Sequence, residues 1–431
     1  MEYTLVYDIQ VTSTPVIVYL GPNRDRWYPQ TWQDIIDAAG GGLLDESAWV
    51  DLKRELATVG GRAHHNTEIA KDLAAMAVDG GMLVIGVADD HSRAGQVVGV
   101  ELAGLADRVT AVAGTRVSPP VTVRCVEVPD PARPGWGCLL VLIPPSPLAP
   151  HMVDSVYWGR TDKGNERLTD EKVRRILAAR ALLATDIRGK LREFAAGDPF
   201  PAETRETGHL YLIVRPAAGA PEALVPLLTS ANLLQDVHLL LNRVTAELDY
   251  SHLPGADTLR RGGGHGAVLS RRLGRNNLTE QGLRDLTLHE DGSLTLMSGQ
   301  VVERRRPQTG LRDEYRMVWT PWLLGMVHAT LLLAGLLADR HTGYQGQWQI
   351  GVRVEGLQDA VPHEATRGMG LDLRDRYDTD VYEATTTADT AELTGSTHAV
   401  VERLLGRLLR GLLLDAQYLP YTAEVLRSAM R

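Results

Sequence analysis

Residues 80–90, GGMLVIGVADD, constrain the fold of this chain more than any other stretch. The run is almost continuously apolar where a half-exposed strand would alternate, so it predicts a strand buried on both faces, inside a sheet covered by helices on each side. Asp79, Gly80 and Gly81 end the segment before it. That segment predicts a helix over 67–78, with Ile69, Leu73 and Met76 at helical spacing. At the far end, Asp89 and Asp90 stand where carboxylates at a strand terminus can reach a cleft.

The alternation continues through QVVGVEL, a helix over about 102–113, VTVRCVEVPD and CLLVLIPPS. SVYWGRTDKGN then predicts a strand, and LTDEKVRRILAARALL a helix capped by Thr169. The fold class is therefore α+β, a mixed sheet with helices, over residues 44–185. Residues 1–43 read as an N-terminal extension of one or two strands and a short helix, TWQDIIDAA, closed by Gly40–Gly42. At 431 residues the chain is long for one core, and residues 190–431 predict a second α+β domain. Its signals are the strand HLYLIVRP, one or two helices over 222–244, a hairpin turning at Asp291-Gly292, the strand WQIGVRVEGL and a long helix over 391–414. The apolar run 317–338 is long enough to cross a bilayer, yet Pro321 and the charged Asp339-Arg340 bound it as a buried helix. No membrane role is expected.

Two cysteines, Cys125 and Cys138, leave no disulfide framework or cysteine-rich zinc site and fit a reducing cytoplasm. The N-terminus lacks the pattern of a secretory signal. With a formal net charge of -9, a nucleic-acid partner needs a local basic surface.

The candidate chemistry sits in ESAWVDLK, residues 46–53. Residues two apart share a strand face, so Asp51 and Lys53 point together while Val50 and Leu52 pack behind. Glu46 falls on the other face of a regular strand and joins them only from a loop or bend. Asp89 adds a third acid. Three carboxylates and a lysine suit Mg²⁺ or Mn²⁺ acting on phosphate, because these ions take hard oxygen ligands. The plain alternatives are chance charge alternation on a surface strand for Asp51 and Lys53, and a turn-forming role for Asp89. Arg160, Lys163, Arg167, Lys172, Arg174 and Arg175 form the densest basic stretch in this domain and could follow a phosphate backbone. Asp162, Glu166, Asp170 and Glu171 interrupt it, so a salt-bridged helix face is the alternative. Arg62, His64 and His65 lie in a predicted loop that could touch substrate, and no phosphate-cradling GxxxxGK occurs.

In their order, ESAWVDLK, EIAKDLAAMAVDGG, MLVIGVADD, VVGV and VYWGRTDKGNERLTDEKVRRIL resemble the Schlafen AlbA-like domain over about residues 44–180. The resemblance implies nucleic-acid binding. For Schlafen members it implies metal-dependent endonuclease activity on transfer and ribosomal RNA through three carboxylates, which would fall on Glu46, Asp51 and Asp89. Lys53 would then offset charge on the phosphate, and a role in antiphage defence would follow by analogy. Animal relatives pair two similar lobes; one lobe is visible here, which implies a homodimer. Asp51 departs from the usual glutamate, Ala77-Val78-Asp79 from the usual Ala-Asn-Thr, and the zinc cysteines have no counterpart. The expectation is a metal-dependent endoribonuclease hydrolysing structured RNA, transfer RNA first, with a sensing or regulatory second domain. The alternatives are a non-catalytic nucleic-acid-binding regulator and an interaction scaffold.

Overall fold

The apolar run forms the middle of a sheet. In the computed structural model, the described residues are 18, 20–21, 27–56, 62–162, 164–218, 222–261, 266–270, 279–305, 314–367 and 376–430. The first domain contains strands β1 (Val50–Lys53), β2 (Gly81–Ile85), β3 (Val87–Asp90), β4 (Arg93–Val97), β5 (Val100–Glu101), β6 (Arg124–Pro129) and β7 (Trp136–Ile143). Helices α1 (Trp32–Gly40), α2 (Arg62–Met76) and α3 (Leu105–Thr115) accompany them. β1 runs parallel to β2, β2 antiparallel to β7, and β6 and β5 both pair antiparallel with β7.

Two-sided burial follows from the period-two geometry of β2 and β7. Leu83, Ile85, Leu139, Val141 and Ile143 pack against Ile69, Leu73 and Met76 of α2 and Val109 and Val112 of α3. Met82, Val84, Leu140 and Leu142 pack on the other face against Ile35, Ala38 and Ala39 of α1, with Val18, Leu20, Trp27 and Leu44. The segment expected as an extension is therefore part of this core, because without it one sheet face would be bare. The strands expected before residue 18 lie outside the described residues. Gly86 links β2 to β3 with φ 111°; its N–H bonds Lys53 O at 2.8 Å, and a Cβ there would meet Cys138 Sγ at 2.9 Å. Both cysteines are free, and burial pushes the Cys138 thiol up to about 12.

SVYWGRTDKGN forms a hairpin where one strand was expected. After β8 (Met152–Val153), β9 (Val156–Thr161) and β10 (Gly164–Arg167) pair antiparallel, with Trp158 opposite Arg167 and Arg160 opposite Asn165. Helix α4 (Asp170–Ala196) starts where the sequence places it: the Thr169 side chain accepts from Lys172 N–H. It then runs past the expected boundary at 185. Its Ile187, Leu191 and Ala195 find buried partners in Tyr211, Ile213 and Met297 of the second domain. Arg124 and Asp339 form a further ion pair between the two domains, at 3.2 Å.

The second domain is built on a sheet centred on β11 (Gly208–Pro216), flanked by β12 (Leu259–Arg261), β13 (Gly266–Ser270), β14 (Arg284–His289), β15 (Leu294–Arg305), β16 (Tyr315–Val318), β17 (Gln347–Glu355), β18 (Ala360–Pro362) and β19 (Val381–Asp389). Leu210, Leu212 and Val214 face a helical layer of α5 (Val225–Thr229), α6 (Leu233–Leu248), α7 (Thr320–Leu337), α8 (Thr390–Gly395), α9 (Thr397–Gly411), α10 (Asp415–Tyr418) and α11 (Ala423–Met430). Tyr211 and Ile213 face α4. α7 begins at Thr320-Pro321, and 94% of the apolar window in Thr320–Thr342 is buried inside the fold, so its length and apolarity serve a core. Gly325 lets α7 pass the His252 ring, which any Cβ would strike. The helix expected over 391–414 is two, separated at Ser396.

Beneath α4 runs a chain of buried charge. Asp198 accepts from Phe200 N–H at 2.7 Å, from Tyr211 OH at 2.6 Å and from His209 Nδ1 at 2.7 Å. Glu280 lies 3.2 Å from His209 Nε2, and Arg205, Glu355, Arg353 and Glu383 continue the alternation of sign.

Candidate functional site

The site grows from β1, the edge strand of the first sheet. Val50 and Leu52 of β1 turn inward toward α1, so Asp51 and Lys53 take the opposite face, beside α2 and the β9–β10 hairpin. Arg160 reaches back from β9. Its Nη2 donates to Asp51 Oδ1 at 3.0 Å and Val50 O at 3.1 Å, its Nε to Ser47 O at 3.2 Å, and its Nη1 to Asn165 Oδ1 at 3.4 Å. Lys53 Nζ stands 2.7 Å from Asp51 Oδ2 and 3.4 Å from Asp72 Oδ2 of α2, while Asn165 Nδ2 donates to Asp72 Oδ1 at 2.6 Å.

Two carboxylates and two cations thus form a closed group of zero formal charge. Asp51 and Asp72 are each 5% exposed; the Lys53 side chain, at 33%, is its opening to solvent. Neither Oδ2 has a well-angled hydrogen bond, so what holds them is the short electrostatic approach of Lys53. Burial first, and the Asp51 charge second, push the Asp72 carboxyl up to about 6 against Lys53, Asn165 and Arg160. Burial alone would lower the Lys53 ammonium, but Asp72 and Asp51 outweigh it and raise it.

Glu46 lies in the loop before β1, as its spacing required. Its Oε1 accepts from Leu52 N–H at 3.4 Å, and its own N–H donates to Ser92 O at 3.0 Å. Burial, then the charges of Asp51 and Asp89, raise its carboxyl, so the three expected acids share one field. Asp89 is exposed and accepts from Ser92 N–H at 2.7 Å, supporting the two-residue turn at His91 (φ 53°) and Ser92 (φ 68°). It therefore does the turn-forming work its sequence context allowed. Among the described residues no group of three or more His, Cys, Asp or Glu is arranged to hold a metal ion. Both Asp51 oxygens face cations, so the residues as placed do not fit a Mg²⁺ or Mn²⁺ centre.

The expected basic surface is largely neutralised. Arg160 is buried in the acid group; Lys172 pairs with Glu166 at 2.5 Å and Arg174 with Asp170 at 2.8 Å. Arg175 is exposed and lowers the raised Asp79 carboxyl. Arg167 lies 5.8 Å from the Trp158 ring and Lys71 of α2 lies 5.0 Å from it. Lys163 and the Arg62 and His64 side chains lie outside the described residues, although Arg62–Asn66 is helical and not the loop expected. Sequence reasoning missed Asp72 and Lys71. Asp72 carried a signal: Ala70, Leu73, Ala74, Ala75 and Met76 around it are all buried, so a lone acid there must find a cation. A hollow of about 370 Å³ between the domains, lined by Trp49, Asp79, Tyr344 and Trp348 among others, includes none of these site residues.

Residues 46–169 match the family model described as Schlafen, AlbA_2, and this region is a nucleic-acid-related domain. No curated protein matches the chain. The crystal structure titled as the DIP2311 protein from Corynebacterium diphtheriae is similar at 16% identity over 50% of this chain and 37% of that chain, with a TM-score of 0.24, a likeness too weak to bear on the fold. The chain thus spans 37% of that protein's crystallised length.

Proposed function

We propose that this chain, which carries a Schlafen AlbA_2 domain, binds structured RNA, transfer RNA foremost, through residues 46–169. One arrangement supports the reading: Lys53, Lys71 and Arg167 line the seam between α2 and the β9–β10 hairpin, the last two against Trp158. A protein of net charge -9 can hold a polyanion only through such a local concentration of cations. Lys71 is steadied by Glu68 at 2.7 Å, while Arg167 is exposed. Filter binding of bulk transfer RNA to the full chain tests it. The double substitution Lys71→Met with Arg167→Gln should weaken binding about tenfold and flatten its salt dependence, each phosphate contact adding roughly one to the slope. Binding that ignores both changes overturns the proposal.

The second reading is cleavage: a metal-dependent endoribonuclease using Glu46, Asp51 and Asp89, in which Mg²⁺ or Mn²⁺ would first have to displace Lys53 from Asp51, acting in antiphage defence as a homodimer. What favours it is the mutual field of the three acids at Glu46. Incubation of transfer RNA with the protein and Mn²⁺, with and without chelator, decides between the two. Chelator-sensitive cutting, lost in Asp51→Ala and Asp89→Ala proteins that keep their fold, supports cleavage. Binding without cutting leaves the first reading, and sedimentation equilibrium reports the dimer.

A further inference from the structure

We infer that Lys53 is the resident cation of the acid group, occupying the position at which Asp51 would otherwise take a divalent ion, and that Asp72 is the residue that positions it. Asp51 Oδ1 is held by Arg160 at 3.0 Å and Oδ2 by Lys53 at 2.7 Å, so an ion reaching Asp51 must first displace a cation already in contact. Asp51, Asp72, Lys53 and Arg160 cancel in charge, so the two buried carboxylates are already neutralised, and the negative charge left beside Asp51 is that of Glu46 and the exposed Asp89. Arg160 is fixed by two backbone carbonyls besides, leaving Lys53 as the member that can move.

An ammonium carries three donors. Asp51 and Asp72 draw the ammonium from positions inside the fold, at 2.7 and 3.4 Å, and the side chain is 33% exposed. The solvent side of the ammonium can meet a phosphodiester oxygen. Asp72 decides this pose: Asn165 pins its Oδ1 at 2.6 Å, so its Oδ2 faces Lys53. Removing Asp72 would leave Lys53 tied to Asp51 alone and free to swing. The oxyanion's identity rests on the RNA-binding proposal; the exclusion of a divalent ion does not.

The test uses the full chain and Mn²⁺ alone, followed by paramagnetic resonance. The wild-type protein should bind no Mn²⁺ that Asp51→Asn removes. Lys53→Met, which leaves two buried carboxylates facing each other, should gain one Mn²⁺ site at least tenfold tighter than any in wild type, lost again when Asp51→Asn is added. Lys53→Gln replaces it should Lys53→Met fail to fold. A wild-type site abolished by Asp51→Asn, or no gain on removing the lysine charge, overturns the inference. In excess chelator, transfer RNA binding by the wild type should persist, fall severalfold in Asp72→Asn and recover partly in Asp72→Glu. Equal loss in both Asp72 variants would assign that residue a merely structural role. Failure of RNA binding altogether would sink the RNA proposal and leave the Mn²⁺ result standing.

Discussion

Two buried charge networks can be set side by side: Asp51–Lys53–Asp72–Arg160 in the first domain, and Glu280–His209–Asp198–Arg205–Glu355 in the second. In the second, the Asp198 side chain is buried and accepts three hydrogen bonds from backbone, imidazole and phenol. Burial pushes its carboxyl up, but those bonds win and hold it below the ordinary range. In the first, two Oδ2 atoms lack well-angled donors, Asp72 is raised to about 6, and a lysine opens to solvent. A network with every acceptor satisfied rigidifies; one left short of donors and open on one side is available to a ligand. That difference, rather than the number of acids, marks the first group as the site.

The contrast is sharpest in stability. Asp198→Ala should cost about 3–5 kcal/mol, because it strands His209, Tyr211 OH and Phe200 N–H in the interior. Guanidinium unfolding measures the loss, and transfer RNA affinity of the folded protein should not change. If affinity falls with stability, the two networks are not separate in function.

The pH dependence should have opposite signs. Folding pushes the Asp72 carboxyl up from its ordinary 3.8 to about 6, so between these values the folded protein holds more proton. Its contribution to stability falls as pH rises through that window, by on the order of 3 kcal/mol, and Asp72→Asn should remove this component. Asp198, with its folded carboxyl lowered, contributes stability above its ordinary range that is lost as pH falls. Urea titrations of each variant between pH 3 and 7 would break the comparison if both slopes had one sign.

Smaller effects follow. Lys53→Met should destabilise by about 2–3 kcal/mol, since it strands the buried Asp51 and Asp72 carboxylates although exposure of Lys53 screens part of the charge, while costing transfer RNA binding about tenfold. Asp89→Ala should cost about 0.5 kcal/mol, the worth of one exposed turn hydrogen bond, visible as a small shift in thermal midpoint. A large loss of RNA affinity from Asp89→Ala would make it more than a turn-former.

Much of the fold was legible locally. Residues 82–85 announced their two-sided burial, Thr169 its cap, and Pro321 the start of α7, because each signal depends on side chains within a few positions. Strand β19 was not: VYEATTTAD looks polar, and it is a strand because β17 pairs with it along its length. Nor could the sequence say that α4 continues to Ala196, since Ile187 and Leu191 would suit any amphipathic helix until Tyr211 and Ile213 stand opposite.

In the candidate site the same division holds. The sequence by itself determined that Asp51 and Lys53 share a face and that Glu46 must leave the strand, since backbone period fixes direction. Only the tertiary structure decided what those groups meet: Arg160, 109 residues from Asp51, and Asp72 on a helix across the seam. Electrostatic pairing acts through space, and distance along a chain carries no record of it.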